Sequence, residues 1–172
     1  MPRMRIRTAR PEDAAGIRAV NVSAFGTTAE ADLVDALCER AAPIISLVAD
    51  DDGVIVGHIL FTPMTLDADR ELKVMGLAPV GVVTGRQRQG IGGALVRAGL
   101  DECWQLGVAA VAVLGHPEYY PRFGFAPASK FELTSQYDVP DDVFMIVEGR
   151  PGALAGKHGL LSYHPAFAEF SL

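Results

Sequence analysis

The stretch Leu77-Ala-Pro-Val-Gly-Val-Val-Thr-Gly-Arg-Gln-Arg-Gln-Gly-Ile-Gly-Gly-Ala-Leu95 decides the fold of this chain. Leu77 to Val83 is a short apolar run rich in β-branched residues, the pattern of a buried strand. A polar turn carrying Arg86 and Arg88 follows, and Gly90, Gly92 and Gly93 then open a helical pattern. The first N–H groups of a helix lack partners and carry partial positive charge, so a diphosphate binds there when no Cβ blocks its approach. The stretch therefore reads as a pyrophosphate cradle between a strand and a helix.

Spacing separates the classes that share this device. A P-loop has Lys-Ser/Thr after its second glycine, whereas Gly92 is followed by Gly93-Ala94. A dinucleotide fingerprint, Gly-x-Gly-x-x-Gly, would need glycine or alanine where Val96 stands. What remains is Gln87-x-x-Gly90-x-Gly92 directly after a strand.

Composition narrows the rest. A chain of 172 residues, 49% hydrophobic and 21% charged, fits one domain over 1–172 with a sizeable core. A net charge of -6 argues against a nucleic-acid partner. Arg3, Arg5, Arg7 and Arg10 alternate along a predicted strand and read as a solvated face. With no apolar signal core and no run approaching a membrane span, a cytoplasmic protein without a membrane partner is expected. Cys38 and Cys103 read as two buried thiols, and no metal site is expected.

Working outward, Arg3 to Thr8 is a predicted strand. Pro11-Glu12-Asp13 starts a helix running to about Ser23. A second helix, Ala29 to Arg40, carries Leu33, Leu37 and Ala41 as a buried stripe. Pro43 to Ala49 and Val54 to Met64 form a hairpin through Asp50-Asp51-Asp52-Gly53, and Glu71 to Val83 extends it to an antiparallel meander. Pro79 cannot donate to a ladder, so this third strand should be bulged or locally unpaired, with backbone groups free for a ligand. Ile91 to Leu106 is the long helix, with Ile91, Leu95, Gly99 and Cys103 on one face and Gly107 as terminator. Val108 to Leu114 is apolar throughout, which predicts burial on both faces and parallel pairing with the strand before the helix. A short helix from Pro117 to Phe123, a strand from Phe125 and a strand from Val143 to Glu148 follow, and the tail adds a short strand near Leu160 to Tyr163.

The hexapeptide Gln87-x-x-Gly90-x-Gly92, the element order and the segment Tyr119-Tyr120-Pro121-Arg122-Phe123-Gly124-Phe125 together resemble the GNAT superfamily of N-acetyltransferases, and within it a subgroup of predicted N-acetyltransferases. The resemblance covers roughly Arg5 to Glu148, with 149–172 as a C-terminal extension. It implies an α/β fold with a mixed sheet, an antiparallel meander followed by a parallel βαβ unit with splayed strands. It also implies acetyl-CoA as co-substrate and transfer of the acetyl group to a primary amine of an unidentified small molecule, peptide or protein by direct attack. The cofactor contacts it implies fall on Val80, Val82 and Val83, and on Arg88, Gln89, Gly90, Ile91, Gly92 and Gly93. Val82 N–H would polarise the thioester carbonyl, and Tyr120 matches the tyrosine that protonates the departing thiolate. Where the family often has proline after the last valine, this chain has Thr84-Gly85, which is expected to loosen the turn.

Each assignment has a plainer counterpart. Tyr119 and Tyr120 also read as aromatic packing, and His58, on a strand between Gly57 and Ile59, reads as a hydrogen-bonded core histidine rather than a base. No general base is assigned among Glu30, His58, His116 and Glu118. The acceptor surface is expected from Phe25 to Glu30, the strand near Met75, and Phe131 to Asp142. A non-catalytic acyl-CoA-binding sensor or regulatory module is the alternative function, and a homodimer is left open.

Overall fold

The computed structural model describes residues 4–170, so the predicted strand start at Arg3 lies outside the described residues. The mixed α/β architecture follows the expected order. β1 (Met4–Thr8) leads through a 3-10 turn at Pro11–Asp13 into α1 (Ala14–Phe25) and α2 (Ala29–Arg40). The meander is β2 (Ile45–Asp51), β3 (Val54–Leu66) and β4 (Asp69–Val82), followed by α3 (Ile91–Gln105) and β5 (Ala110–Leu114). The β2–β3 turn is the two residues Asp52 and Gly53, with φ of 53° and 91°, the left-handed pair that matches strand twist in a tight hairpin.

Pairing explains how a sheet of this kind opens. β4 pairs antiparallel with β3 along most of its length, but Ile59 faces Val80 while Phe61 faces Leu77, so Ala78 and Pro79 together oppose Leu60 alone. The bulge expected at Pro79 is present. On its other edge β4 pairs parallel with β5 only at Val74, Met75 and Gly76. Beyond Gly76 the two strands part, and β5 continues alongside β8 (Phe144–Glu148).

Apolar side chains collect on both faces of the sheet. Leu33 and Leu37 of α2 are fully buried with Val48, Leu60 and Met64 on one face, each contributing about 1.5–3 kcal/mol by leaving water. On the other face Ile91, Leu95 and Cys103 of α3 pack with Ile59, Phe61 and Val111. The predicted stripe of α3 includes Gly99 for a steric reason: a Cβ there would stand within the van der Waals volume of the Phe61 ring. Only glycine lets α3 sit this close to the sheet.

Several elements depart from expectation. Cys38 is exposed, because α2 turns that position to solvent, and only Cys103 is buried; burial pushes the Cys103 thiol up to about 12. Arg7 is not a solvated strand residue. It donates to Asp13 Oδ2 at 2.7 Å and Oδ1 at 3.0 Å, and to Asp50 Oδ2 at 3.0 Å, joining β1, the start of the helical pair and the hairpin turn. The short helix near Tyr120 is a 3-10 turn, Tyr120–Phe123, leading to β6 (Ala126–Pro127). Two features had no forerunner in the sequence: β7 (Leu133–Ser135) pairs parallel with β9 (Gly159–Ser162), and β9 also joins the far end of β3 at Thr65 and Leu66. Through this pairing the C-terminal segment, with a 3-10 turn at Pro165–Glu169, packs against α2 and enters the core through Tyr163, Ala166 and Phe167.

Candidate active site

A cavity of about 600 Å³ lies where β4 meets α3. Among the residues expected to contact a ligand, Val80, Val82, Arg88, Gly90, Gly92 and Gly93 line it. Val83, Gln89 and Ile91 do not. Val83 gives its N–H to Val56 at 3.0 Å, the Gln89 side chain accepts from Arg86 Nε at 3.0 Å, and the Ile91 side chain is buried under α3. Tyr120 also lies off this wall, while its neighbour Tyr119 is on it.

Two kinds of donor face the cavity. The first is the open edge of β4. Val83 and Val56 are hydrogen-bonded, so by the alternation of an antiparallel ladder Gly81 faces β3 and the N–H and C=O of Val80 and Val82 point away from it, across the gap that β5 has left. Gln87 Nε2 reaches the Val82 carbonyl from that side at 3.1 Å. The second is the start of α3. Gly90 has φ of 85°, a left-handed conformation that glycine adopts without strain. Ala94 makes the first helical bond, to Gly90 at 3.0 Å, which leaves the N–H groups before it without helical partners. Cβ atoms added at Gly92 and Gly93 would lie 3.8 and 3.7 Å from the Tyr119 hydroxyl, so these glycines widen the cradle between α3 and that ring.

The charge is local. Arg88, Arg97 and Arg122 line the cavity and no carboxylate does, in a chain of net charge -6. The Arg97 guanidinium stands 5.0 Å over Phe123 and that of Arg122 stands 4.4 Å over Tyr119. Stacking on ring faces holds both heads in place. Neither arginine was singled out from the sequence. Arg97 lies one turn beyond Gly93 on the same helix face, a spacing that could have found it; Ala24 and Phe25, at the end of α1, carried no such signal.

The turn between β4 and α3 is held rather than loose, contrary to expectation. Thr84 N–H donates to Ser23 Oγ at 3.1 Å. Arg86 faces away from the cavity and donates to Asp51 Oδ2 at 2.6 Å, tying the turn to the β2–β3 hairpin. Asp50 beside it accepts from Arg7 and from Gly53 N–H at 2.7 Å, and both contacts hold its carboxyl below the usual range. Asp13, hydrogen-bonded first of all by Arg7, is lowered to about 2.

Tyr120 is 8% exposed. Its ring meets Tyr119 edge-on at 5.1 Å and Phe125 at 5.6 Å, and burial pushes its hydroxyl up to about 12. Among the other candidates, His58 is fully buried, with Nδ1 3.3 Å from Asn21 Nδ2 and Nε2 3.0 Å from Ser46 Oγ. Desolvation lowers its pKa to about 4, so it is a neutral core histidine at working pH. A second cavity, of about 530 Å³, lies beyond the parting of the strands, with Leu77 and Ala78 of β4 on one side and Leu114 of β5 on the other. The described residues contain no cluster of three or more metal-ligating side chains, and no helix long and apolar enough to cross a membrane.

Comparison with known proteins agrees with this geometry. Residues 5–128 match the family model described as acetyltransferase (GNAT) domain. The uncharacterized N-acetyltransferase YhbS of Escherichia coli is 37% identical over 168 residues, 97% of this chain and 100% of that protein. The crystal structure of Escherichia coli YhbS in complex with CoA superposes with a TM-score of 0.93 at 36% identity, covering 100% of this chain and 96% of that one. A GNAT family acetyltransferase from Brucella melitensis, in complex with acetyl-CoA, gives 0.80 at 35% identity over 97% and 99% of the two chains. The chain belongs to the GNAT family of acetyltransferases.

Proposed function

We propose that the protein transfers an acetyl group from acetyl-CoA to a primary amine by direct attack, with 1–172 acting as one acetyltransferase domain. The observation that carries this reading is the pairing of an arginine-lined, glycine-headed helix start with a strand edge whose backbone groups face an open gap. The helix-start N–H groups, with Arg88, Arg97 and Arg122, suit a diphosphate. The exposed edge at Val80 and Val82 suits an amide-bearing pantetheine arm laid alongside as an extra strand. Relatives whose structures hold CoA or acetyl-CoA support the same ligand.

Bound in this way, acetyl-CoA supplies an acetyl group already activated as a thioester. Val82 N–H donates to the carbonyl oxygen as negative charge develops there. The amine lone pair forms the C–N bond, the C–S bond breaks, sulfur gains one proton and nitrogen loses one, leaving an amide and a free thiol. Tyr120 is our donor to sulfur. A hydroxyl held at about 12 keeps its proton at any working pH, so it is always in the donor form.

One observation favours a second reading, a non-catalytic acyl-CoA-binding sensor: Tyr120 is packed among rings and does not line the cavity. Thiol release with a panel of amines separates the two. Release with any amine supports transfer; protection from thermal unfolding by acetyl-CoA without release for any amine supports the sensor. Protection by a dinucleotide and none by acetyl-CoA would overturn both.

A further inference from the structure

The second cavity differs in chemistry from the first. Leu77, Ala78 and Leu114 form its inner end at the parting of β4 and β5, and Tyr137, Tyr163 and Phe167 form its walls. None of its lining side chains is charged. The three rings stand in a row, Tyr137 to Tyr163 at 5.9 Å and Tyr163 to Phe167 at 4.9 Å. The Tyr163 hydroxyl is held well above its ordinary value by burial first, then by the hydroxyls of Tyr137 and Tyr120, so this wall stays neutral.

We propose that this cavity holds the body of the acetyl acceptor, and that the acceptor is a primary amine on an apolar, aromatic-sized frame, of the arylalkylamine class. The inference rests on the acetyl-transfer reading above and adds the substrate class. Three observations carry it. First, the cavity opens on the gap where β4 and β5 part, the gap that the open edge at Val80 and Val82 also faces. Its inner end is the bulged part of β4, next to Val80, and the Tyr163 ring of its wall lies against Gly76, the last β4 residue paired with β5. Second, the cavity has its own entrance. Tyr137 and Ala168 on its wall are exposed, so a second reactant reaches the gap while the first cavity is filled. An acetyl group occupies little of about 530 Å³, and the remaining space belongs to the other reactant.

Third, the lining selects the class. A polyamine, a sugar or a charged peptide would lose hydration in this cavity without gaining partners. A flat apolar frame packs against the ring row, and an incoming ammonium passes over π faces. The adjoining hollow shares Tyr137 and Val139 with the cavity and carries Asp138 and Asp141, which draws cations to the entrance. The frame lies outward along the rings, and its nitrogen enters the gap between Ala78 and Leu114 and points along the open edge of β4 toward the thioester held at Val82.

The test measures thiol release from acetyl-CoA with 2-phenylethylamine and with spermidine, using the full chain and the variant Ala168→Trp. Ala168 is exposed, so the variant narrows the cavity without disturbing the core. We expect release with 2-phenylethylamine at a kcat/KM at least about ten-fold above that with spermidine, and a loss of about ten-fold or more in Ala168→Trp with calorimetric acetyl-CoA affinity unchanged. An enzyme that binds acetyl-CoA but favours spermidine, or gives no release with 2-phenylethylamine, overturns the inference and leaves the acetyl-CoA site standing. A variant that blocks octanoyl-CoA turnover and spares 2-phenylethylamine with acetyl-CoA also overturns it, by assigning the space to the acyl chain. Failure of acetyl-CoA to bind at all fails the functional reading instead.

Discussion

The two cavities on either side of the parted strands are built by opposite means. The first is made mainly of backbone and glycine, from residues close together in the chain between Val80 and Arg97, with Tyr119 and Arg122 closing one wall. The second is made of side chains brought together from β4, the end of β5, the segment before β8 and the C-terminal turn. A site that works through N–H groups and helix ends must be written as local conformation. A site that works through shape can draw on any residues the fold brings near. The first therefore has a motif, and the second has none.

Substitutions can break this contrast. Gly92→Glu should have the largest effect. Its Cβ has room, 3.8 Å from the Tyr119 hydroxyl, but the carboxylate would occupy the anion's place, so calorimetry should read an acetyl-CoA affinity about 100-fold weaker with an unchanged melting temperature. Tyr120→Phe, behind Tyr119 of the first cavity, should lower kcat by about 10²-fold while the KM for acetyl-CoA stays the same; a normal turnover returns Tyr120 to packing.

Acid should loosen the tie that Arg7 makes between β1, the start of the helical pair and the hairpin turn. The Asp13 pKa falls from an ordinary 3.8 to about 2 on folding. Its stabilisation, about 2 kcal/mol for a group this buried, is therefore complete above pH ~4 and lost as pH falls toward ~2. Melting temperature followed against pH should decline over that window, and Asp13→Asn should flatten the decline. The smallest change belongs to Arg86→Gln. Its ion pair with Asp51 is about one-third exposed on each side, so a rise of about two- to three-fold in the KM for acetyl-CoA is expected, with the acceptor KM unaffected.

Legibility followed the same division. The strand, turn and helix of Leu77 to Leu95 were readable because Pro79 and the glycines constrain backbone directly. The bulge at Ala78 and Pro79 appeared where a missing N–H required an irregularity. The strand expected near Leu160 to Tyr163 is β9, but its pairing with β3 and β7 was not readable, since a four-residue strand carries nothing that names partners far away in sequence. Arg7 was misjudged for a related reason. Alternation tells which face of a strand a residue occupies, while its two acids at positions 13 and 50 are set by tertiary packing. Cys38 looked buried among apolar neighbours, yet α2 presents it on the outer face.

The contact between Gly99 and Phe61 bears on the first cavity from a distance. Gly99 lies eight residues, or about 12 Å of helix, from Ile91, and there α3 leaves no room for a Cβ above the Phe61 ring of β3. It is a fulcrum, with the cavity-lining glycines at the end of the lever. A methyl group there would lift the helix from the Phe61 ring, and a tilt of about 10° would swing the N-terminus by about 2 Å, comparable to the difference between a hydrogen bond made and one missed. Aim, rather than charge, is then what a glycine in the middle of α3 would supply to the phosphate proposed at the start of that helix.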